Sequence, residues 1–138
     1  MRYSQSGSAL RGSLITIAVI VILLGISVMM LPESYDDDLS KIGHGSNIVV
    51  LVQNKGASQS MDLLNLLNSV RNDYRGKIDF MIADIDTEEG KAFEQQQQLN
   101  SSVLVLFGPD GTRLNVINSG VDETALRTAI NNAFRLTP

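Results

Sequence analysis

The sequence predicts an α/β domain with the element order β-α-β-α-β-β-α, preceded by a single transmembrane helix. Three observations lead to this fold class. One apolar run without a charged residue covers residues 12–31. Two short apolar runs, at residues 48–52 and 103–107, are typical of strands that are buried on both faces. Between and after these runs, apolar residues recur at the spacing of an amphipathic helix.

The apolar run over residues 12–31 predicts a helix that crosses a membrane. About 20 helical residues extend roughly 30 Å, which is the thickness of the hydrocarbon core of a bilayer. A helix in a protein core is the alternative, but such helices are usually shorter and keep a polar side. Ala18 and Gly25 lie one heptad apart in this run, so these small residues are candidates for a helix–helix contact in the membrane.

The charges on either side of the run predict the orientation of the chain. Arg2 and Arg11 precede it, whereas Lys41 is the nearest cation that follows it. The positive-inside rule places the N-terminus in the cytoplasm and the C-terminal domain outside, with a bacterial inner membrane and a periplasmic domain as the expected location. A cleaved signal peptide is the alternative. The run is longer than a signal core and lacks a small-x-small cleavage site, which favours an uncleaved signal anchor.

The composition excludes several classes of function. The 138 residues include no cysteine, which rules out disulfides, thiol catalysis and thiolate metal sites. The formal net charge is −4 and no basic patch is visible, so we expect no nucleic-acid partner. Three consecutive carboxylates at residues 36–38 do not have the alternating spacing of a calcium loop. We therefore expect neither a metal nor a cofactor, and we interpret the acidic run as solvated linker.

These features divide the chain into four parts. Residues 1–11 are polar and predict a cytoplasmic tail, and residues 12–31 are the predicted transmembrane helix. Residues 32–46 form an acidic linker. It contains His44, the single histidine, to which we assign no role. Residues 47–138 form the soluble domain, which is long enough for one hydrophobic core.

The first half of the domain predicts a β-α-β unit. Residues 48–52 form a buried strand, the polar loop 53–60 follows, and Gly76 ends the next helix. The apolar residues at helical spacing in that helix are Met61, Leu63, Leu64, Leu66, Leu67 and Val70. A second strand covers residues 78–85. This order implies two parallel strands that are joined by a right-handed crossover.

The second half of the domain predicts a helix, a hairpin and a last helix. Thr87 and the acidic residues after it are typical of a helix N-terminus. Residues 103–107 form a strong strand, 108–111 a turn, and 113–118 the returning strand. Asp122 caps a final amphipathic helix. We expect a four-stranded mixed sheet between helices.

This order of elements resembles the thioredoxin fold over residues 47 to about 136. Four features carry the resemblance. They are the strand Val50-Leu51-Val52 that leads into a loop and a long helix, the strand end at 82–86, the strand at 103–107 with its turn at 109–111, and Gly120 before the final helix. The resemblance implies a thioredoxin-like domain.

The redox residues of that family are missing from this sequence. In a gapless alignment over residues 49–74, the family's Cys-x-x-Cys motif falls on Ala57, Ser58, Gln59 and Ser60. Counted back from Phe107, with a preceding loop about one residue shorter than in the family, its cis-proline falls on Ser102. Disulfide exchange needs two thiols, and a serine nucleophile needs a base, which is absent from the nearby sequence. The redox activity of the family is therefore excluded. The five residues remain a possible partner-binding surface.

We expect that the chain is not an enzyme. No Gly-rich phosphate loop, metal-ligand spacing or nucleophile motif is present. The favoured function is an accessory, structural or assembly subunit of a larger membrane complex (respiratory, photosynthetic or translocating), with the bilayer and other membrane protein subunits as partners. The alternative is a membrane-anchored peptide-binding or chaperone-like module that uses the former active-site surface.

Overall fold

The computed structural model describes residues 6–30 and 34–137. The chain divides into two compact units between Ser34 and Tyr35. The second unit begins 12 residues before Asn47, where the sequence analysis places the start of the folded domain.

The N-terminal unit contains the helix α1 (Ser6–Met30), whose described side chains cover residues 11–26. None of the helices in the described residues meets the combined requirements of length and apolar character for a membrane span.

This finding contradicts the transmembrane helix that the sequence predicts over residues 12–31. It also contradicts the predictions that depend on that helix, namely the signal anchor, the single-pass location in a bacterial inner membrane, and the periplasmic domain. Residues 1–5 and 31–33, which include Arg2 and Pro32, contributed to that prediction and lie outside the described residues.

The C-terminal unit is an α/β fold with one four-stranded mixed sheet, and the predicted order β-α-β-α-β-β-α is confirmed. The elements are β1 (Ile48–Gln53), α2 (Ser58–Val70), β2 (Asp79–Asp84), α3 (Glu88–Gln96), β3 (Val103–Phe107), β4 (Arg113–Asn118) and α4 (Glu123–Phe134). The strands lie in the order β2-β1-β3-β4. β1 is parallel to β2, and β3 is antiparallel to both β1 and β4.

Two apolar layers cover the central strand β1, all six residues of which are buried. Because side chains alternate along a strand, Val49 and Leu51 enter one layer and Val50 and Val52 enter the other. The first layer contains apolar residues of α2 and α4, and the second contains Phe93 of α3. The predicted placement of the sheet between helices is confirmed.

The segment of residues 35–46, which the sequence analysis interprets as linker, lies along the outer edge of β2. Asp36 forms a parallel bridge with Met81, and its carbonyl oxygen accepts the Ile82 N–H at 2.9 Å. An edge strand presents unpaired backbone groups to solvent unless another segment covers it. The segment provides that cover for part of β2.

Side chains of the same segment enter both apolar layers. Tyr35 packs against the first layer, and Leu39 and Ile42 pack against the second. The Tyr35 hydroxyl donates to Asn68 Oδ1 at 2.6 Å, and the Arg71 guanidinium lies 4.0 Å from the centre of the Tyr35 ring. These contacts make the segment part of the folded C-terminal unit.

Candidate functional site

The residues that the sequence analysis selected as a partner-binding surface lie at the N-terminus of α2 and before β3. The loop that leads into α2 is held by Asn54, whose Oδ1 accepts the Gly56 N–H at 3.0 Å. The Asn54 carbonyl oxygen accepts the Ala57 N–H, also at 3.0 Å. Ala57 is the N-cap of α2, and Ser58 and Gln59 follow it as exposed residues of the first turn.

A pair of hydroxyl groups joins this loop to the loop before β3. Ser60 Oγ lies 2.7 Å from Ser102 Oγ, and Ser60 is fully buried. Ser60 Oγ also accepts the Asn54 N–H at 2.9 Å, and the Ser102 N–H donates to the Val52 carbonyl oxygen at 2.8 Å. The structure thus brings together Ser60 and Ser102. Ala57, Ser58 and Gln59 lie nearby on α2 without joining this hydrogen-bonded pair.

The backbone of Ser102 has a left-handed conformation, with φ at +64°. Every peptide bond of the described residues is trans, including the one before Ser102. A left-handed conformation costs a residue with a Cβ atom about 1 kcal/mol. The hydrogen bonds that Ser102 makes with Ser60 and Val52 offset this cost.

The surroundings of Ser60 suit a structural role better than a nucleophilic one. A serine nucleophile must be reached by its substrate and must be activated by a base. Ser60 has no exposed surface, and its hydroxyl oxygen takes part in two hydrogen bonds inside the protein. His44, the single histidine of the sequence, is an exposed residue of the segment before β1.

Met61 is a candidate contact residue that the sequence analysis placed in the core of α2. The structure leaves 44% of Met61 exposed, directly after Ser60. The buried side of α2 is set by the spacing of Leu63, Leu67 and Val70, and Met61 does not belong to this i, i+4, i+7 series. A stricter test of helical periodicity would therefore have identified it. An exposed methionine is an adaptable apolar contact for a partner.

A cleft of about 560 Å³ opens where the parallel strands β1 and β2 end. Gln53 is the last residue of β1 and Asp84 is the last residue of β2, and both line the cleft. The other walls come from the segment at residues 35–39 and from residues 87–90. In α/β sheets, ligands commonly bind outside the carboxyl ends of parallel strands. Sequence reasoning missed the cleft because its walls come from segments that are far apart in the chain.

Asp84 is held in one position at the cleft. Lys55 Nζ lies 2.6 Å from Asp84 Oδ2, and the Asp86 N–H donates to Asp84 Oδ1 at 2.9 Å. The Lys55 ammonium, together with the Asp86 N–H, lowers the pKa of the Asp84 carboxyl group below its usual value. The Thr87 hydroxyl donates to the Asp84 carbonyl oxygen at 2.7 Å. Asp84 is therefore an ionised, well-oriented group.

The close approach of α3 to the end of β2 depends on Gly90. A Cβ atom at this position would overlap the backbone of Asp84. Thr87 caps the helix, since its Oγ1 accepts the Gly90 N–H at 3.1 Å. This packing places Glu88 and Glu89 at the wall of the cleft.

In the part of the chain that the structure describes, the His, Asp and Glu side chains do not form a metal centre. No group of three or more His, Asp or Glu side chains there is placed to hold a metal ion.

Comparison with known proteins adds no family assignment. The chain matches no protein-family model, and no curated protein matches its sequence. The function must therefore be inferred from the residues and their geometry.

Proposed function

We propose that this chain is a non-catalytic accessory or assembly subunit of a larger protein complex, and that its C-terminal unit is a redox-inactive thioredoxin-like domain. The partners are other protein subunits, and the chain contributes binding surfaces rather than chemistry. The order of the elements, and the parallel pairing of β1 with β2, support the thioredoxin-like part of the proposal.

The exposed apolar surface of α1 is the observation that carries the proposal. Ten large apolar side chains between Leu14 and Ile26 are 48–65% exposed. Six of them occupy the consecutive positions 19–24, so they point in every direction around the helix. An apolar surface of this extent is typical of an interaction site. An apolar surface of another subunit would cover it.

The small residues Ala18 and Gly25 suit close helix–helix contact within such an assembly. Both are exposed, and a Cβ atom at Gly25 would have no neighbour within 4 Å outside its own helix. Small residues allow two helix backbones to approach closely. A partner helix could therefore pack directly against this side of α1.

The hydroxyl pair in the C-terminal unit supports the non-catalytic part of the proposal. Ser60 and Ser102 occupy the positions of the resolving cysteine and the cis-proline in the thioredoxin-like alignment. Their hydroxyl groups bind each other at 2.7 Å, and Ser60 is fully buried. A buried hydrogen bond at this place stabilises two loops without exposing a reactive atom.

Native electrophoresis of a mild-detergent extract from the source cells, followed by mass spectrometry, tests the subunit proposal. We expect the chain to migrate with a defined larger assembly. A variant in which Ile17, Val21 and Leu24 are changed to serine should migrate as a free small protein. Met61→Ala, the control on the other unit, should stay in the assembly. Migration of the wild-type chain as a free small protein would overturn the proposal.

A peptide-binding or chaperone-like module is the second candidate, and exposed Met61 favours it. Met61 adjoins the surface formed by Ala57, Ser58 and Gln59, where it could contact an apolar side chain of a peptide. For this function the same electrophoresis gives the opposite result. The wild-type chain would migrate alone, and Met61→Ala would weaken the capture of unfolded client peptides.

A further inference from the structure

One residue that lines the cleft at the ends of β1 and β2 has a buried polar side chain without a hydrogen-bond partner among the described residues. Gln53 is only 7% exposed and lines this cleft. Its carboxamide makes no hydrogen bond in the described part of the chain. No fully inaccessible side-chain N or O atom of the described residues is unpartnered, so the carboxamide retains some accessible surface, and Gln53 is one of the residues that line the cleft. A buried amide in this state is prepared to bind a ligand.

The wall of the cleft is acidic. Asp37, Glu88 and Glu89 line it, and none of the three carboxylates forms an ion pair with a described residue. Asp84 is the fourth carboxylate, and its charge is balanced by Lys55. The lining therefore carries three uncompensated negative charges. Glu88 and Glu89 occupy the first turn of α3, where they oppose the attraction of the helix N-terminus for anions.

The contact between Lys55 and Asp84 shows that a cationic side chain fits against this wall. Lys55 reaches the cleft from the loop after β1, and its ammonium group lies 2.6 Å from Asp84 Oδ2. Next to these charges, Leu39 and Ile82 supply an apolar surface. A side chain with an aliphatic stem and a cationic end matches both features.

We propose that this cleft binds an arginine side chain of a basic segment in a partner protein. The planar guanidinium group has five N–H donors, enough to engage two carboxylates and the Gln53 carboxamide oxygen together. Its stem would lie on Leu39 and Ile82. The cleft volume of about 560 Å³ is within the range of sites for small ligands and is ample for one long side chain with its neighbouring backbone.

Fluorescence anisotropy with the purified full chain in mild detergent tests this proposal. The probe is a fluorescein-labelled heptapeptide of glycine and serine with two arginines, and the matched control peptide carries citrulline, which is uncharged and nearly isosteric, in place of arginine. We expect saturable binding of the arginine peptide only, with an affinity that falls as salt is added. Equal binding of the citrulline peptide would overturn the proposal.

Two variants locate the binding within the chain. Glu88→Gln combined with Glu89→Gln should lower the affinity at least tenfold. The control pair Asp62→Asn and Glu94→Gln changes the net charge equally and should lower it less than twofold. Gln53→Met preserves the size of the side chain but removes the carboxamide, and we expect a loss of threefold or more. Equal losses in the two charge pairs, or full affinity in Gln53→Met, would overturn the proposed site.

A competition experiment identifies the source of the cation. Free spermidine and free arginine amide should displace the labelled peptide only at concentrations well above that of the unlabelled peptide. Displacement by spermidine at a tenfold lower concentration than the unlabelled peptide would overturn the assignment to a partner protein. All these measurements use the isolated chain, so their result does not depend on whether the chain migrates in a larger assembly.

Discussion

The contact between Ser60 and Ser102 is a single hydrogen bond that connects residues 42 positions apart. Ser60 Oγ also satisfies the Asn54 N–H, so one buried hydroxyl group serves two partners. Removal of a buried hydroxyl group leaves its former partners without hydrogen bonds, which is more costly than the loss of an exposed one.

Ser60→Ala should therefore lower the free energy of unfolding by about 2 kcal/mol. The physical reason is the unpartnered Asn54 N–H and the isolated Ser102 hydroxyl group that the variant leaves in place. Urea unfolding followed by circular dichroism measures the change. Ser58→Ala, an exposed substitution in the same turn, should stay within about 0.5 kcal/mol of the wild-type protein. Equal stability of the two variants would contradict the structural role of Ser60.

At the residue scale, the sequence predicted which residues share a site, but it did not predict which of their atoms are in contact. The alignment placed Ser60 and Ser102 at one site, but nothing in the sequence specified that their hydroxyl groups would pair. Gln53 was assigned to a polar loop because it follows an apolar run. The structure buries it as the last residue of β1, since the pairing of β1 with β2 continues to Gln53 and Asp84.

The position of the helix α3 against β2 depends on Gly90, because a glycine has no side chain that would obstruct this packing. A Cβ atom at Gly90 would overlap the backbone of Asp84, and neither backbone can move without breaking hydrogen bonds at Thr87. Gly90→Ala should lower the free energy of unfolding by about 3 kcal/mol, the upper part of the range for overpacked sites.

Chemical denaturation measures this loss, and amide hydrogen exchange should show lower protection in α3. Gly56→Ala is the matched control, because a Cβ atom there meets only the Asn54 side chain, at 3.4 Å. It should change the free energy of unfolding by less than about 1 kcal/mol. A stability of Gly90→Ala close to that of Gly56→Ala would show that α3 does not pack on β2 as described.

The ion pair at the end of β2 predicts a specific dependence of stability on pH. The pKa of Asp84 is lowered in the folded protein, chiefly by the Lys55 ammonium. Its contribution to stability is therefore fully present above the unfolded pKa of about 3.9, and it is lost as the pH falls through the lower folded value. Asp84→Asn should flatten the fall in unfolding free energy over that acidic range.

Urea unfolding at a series of acidic pH values tests this expectation. Asp36 and Asp110 also have lowered pKa values, but they are present in both proteins, so the difference between wild type and Asp84→Asn isolates one group. Asp62→Asn, which removes an exposed carboxylate from α2, should keep the wild-type slope. A wild-type slope in Asp84→Asn would mean that Lys55 does not stabilise the folded state through this carboxylate.

At the element scale, the sheet and its helices could be predicted because their signals are local. Val103–Phe107 is a continuous apolar run, and such runs occur where a strand is covered on both faces. The transmembrane helix over residues 12–31 was predicted from the same kind of signal, and this prediction is contradicted by the described residues. Hydropathy reports that a surface avoids water, but it does not distinguish lipid from protein.

At the scale of the whole molecule, the segment of residues 35–46 belongs to the folded C-terminal unit. This unit is therefore longer than the domain that the sequence predicts. The acidic residues of this segment indicated a solvated linker, because Asp36, Asp37 and Asp38 have no apolar periodicity. The structure pairs the Asp36 backbone with β2 instead, and it buries part of Leu39 and Ile42 in the second apolar layer. Backbone pairing of this kind is independent of side-chain polarity, so composition could not predict it.

Two fragments of the chain test how far the folded unit extends. A fragment of residues 34–138 retains the whole compact unit, and its free energy of unfolding should match that of the C-terminal unit in the full chain. A fragment of residues 47–138 loses three partly buried apolar side chains, Tyr35, Leu39 and Ile42. At about 1 kcal/mol for each half-buried side chain, it should be less stable by about 3 kcal/mol.

The shorter fragment should also aggregate more readily, because the outer edge of β2 is left without the backbone partner at Asp36. Urea unfolding and light scattering measure the two effects. The 34–138 fragment with Leu39→Ser and Ile42→Ser is the matched control. It keeps the backbone bridge at β2 but loses apolar contacts, so it should lose stability without gaining the tendency to aggregate. Equal stability of the 34–138 and 47–138 fragments would show that residues 35–46 are a solvated linker after all.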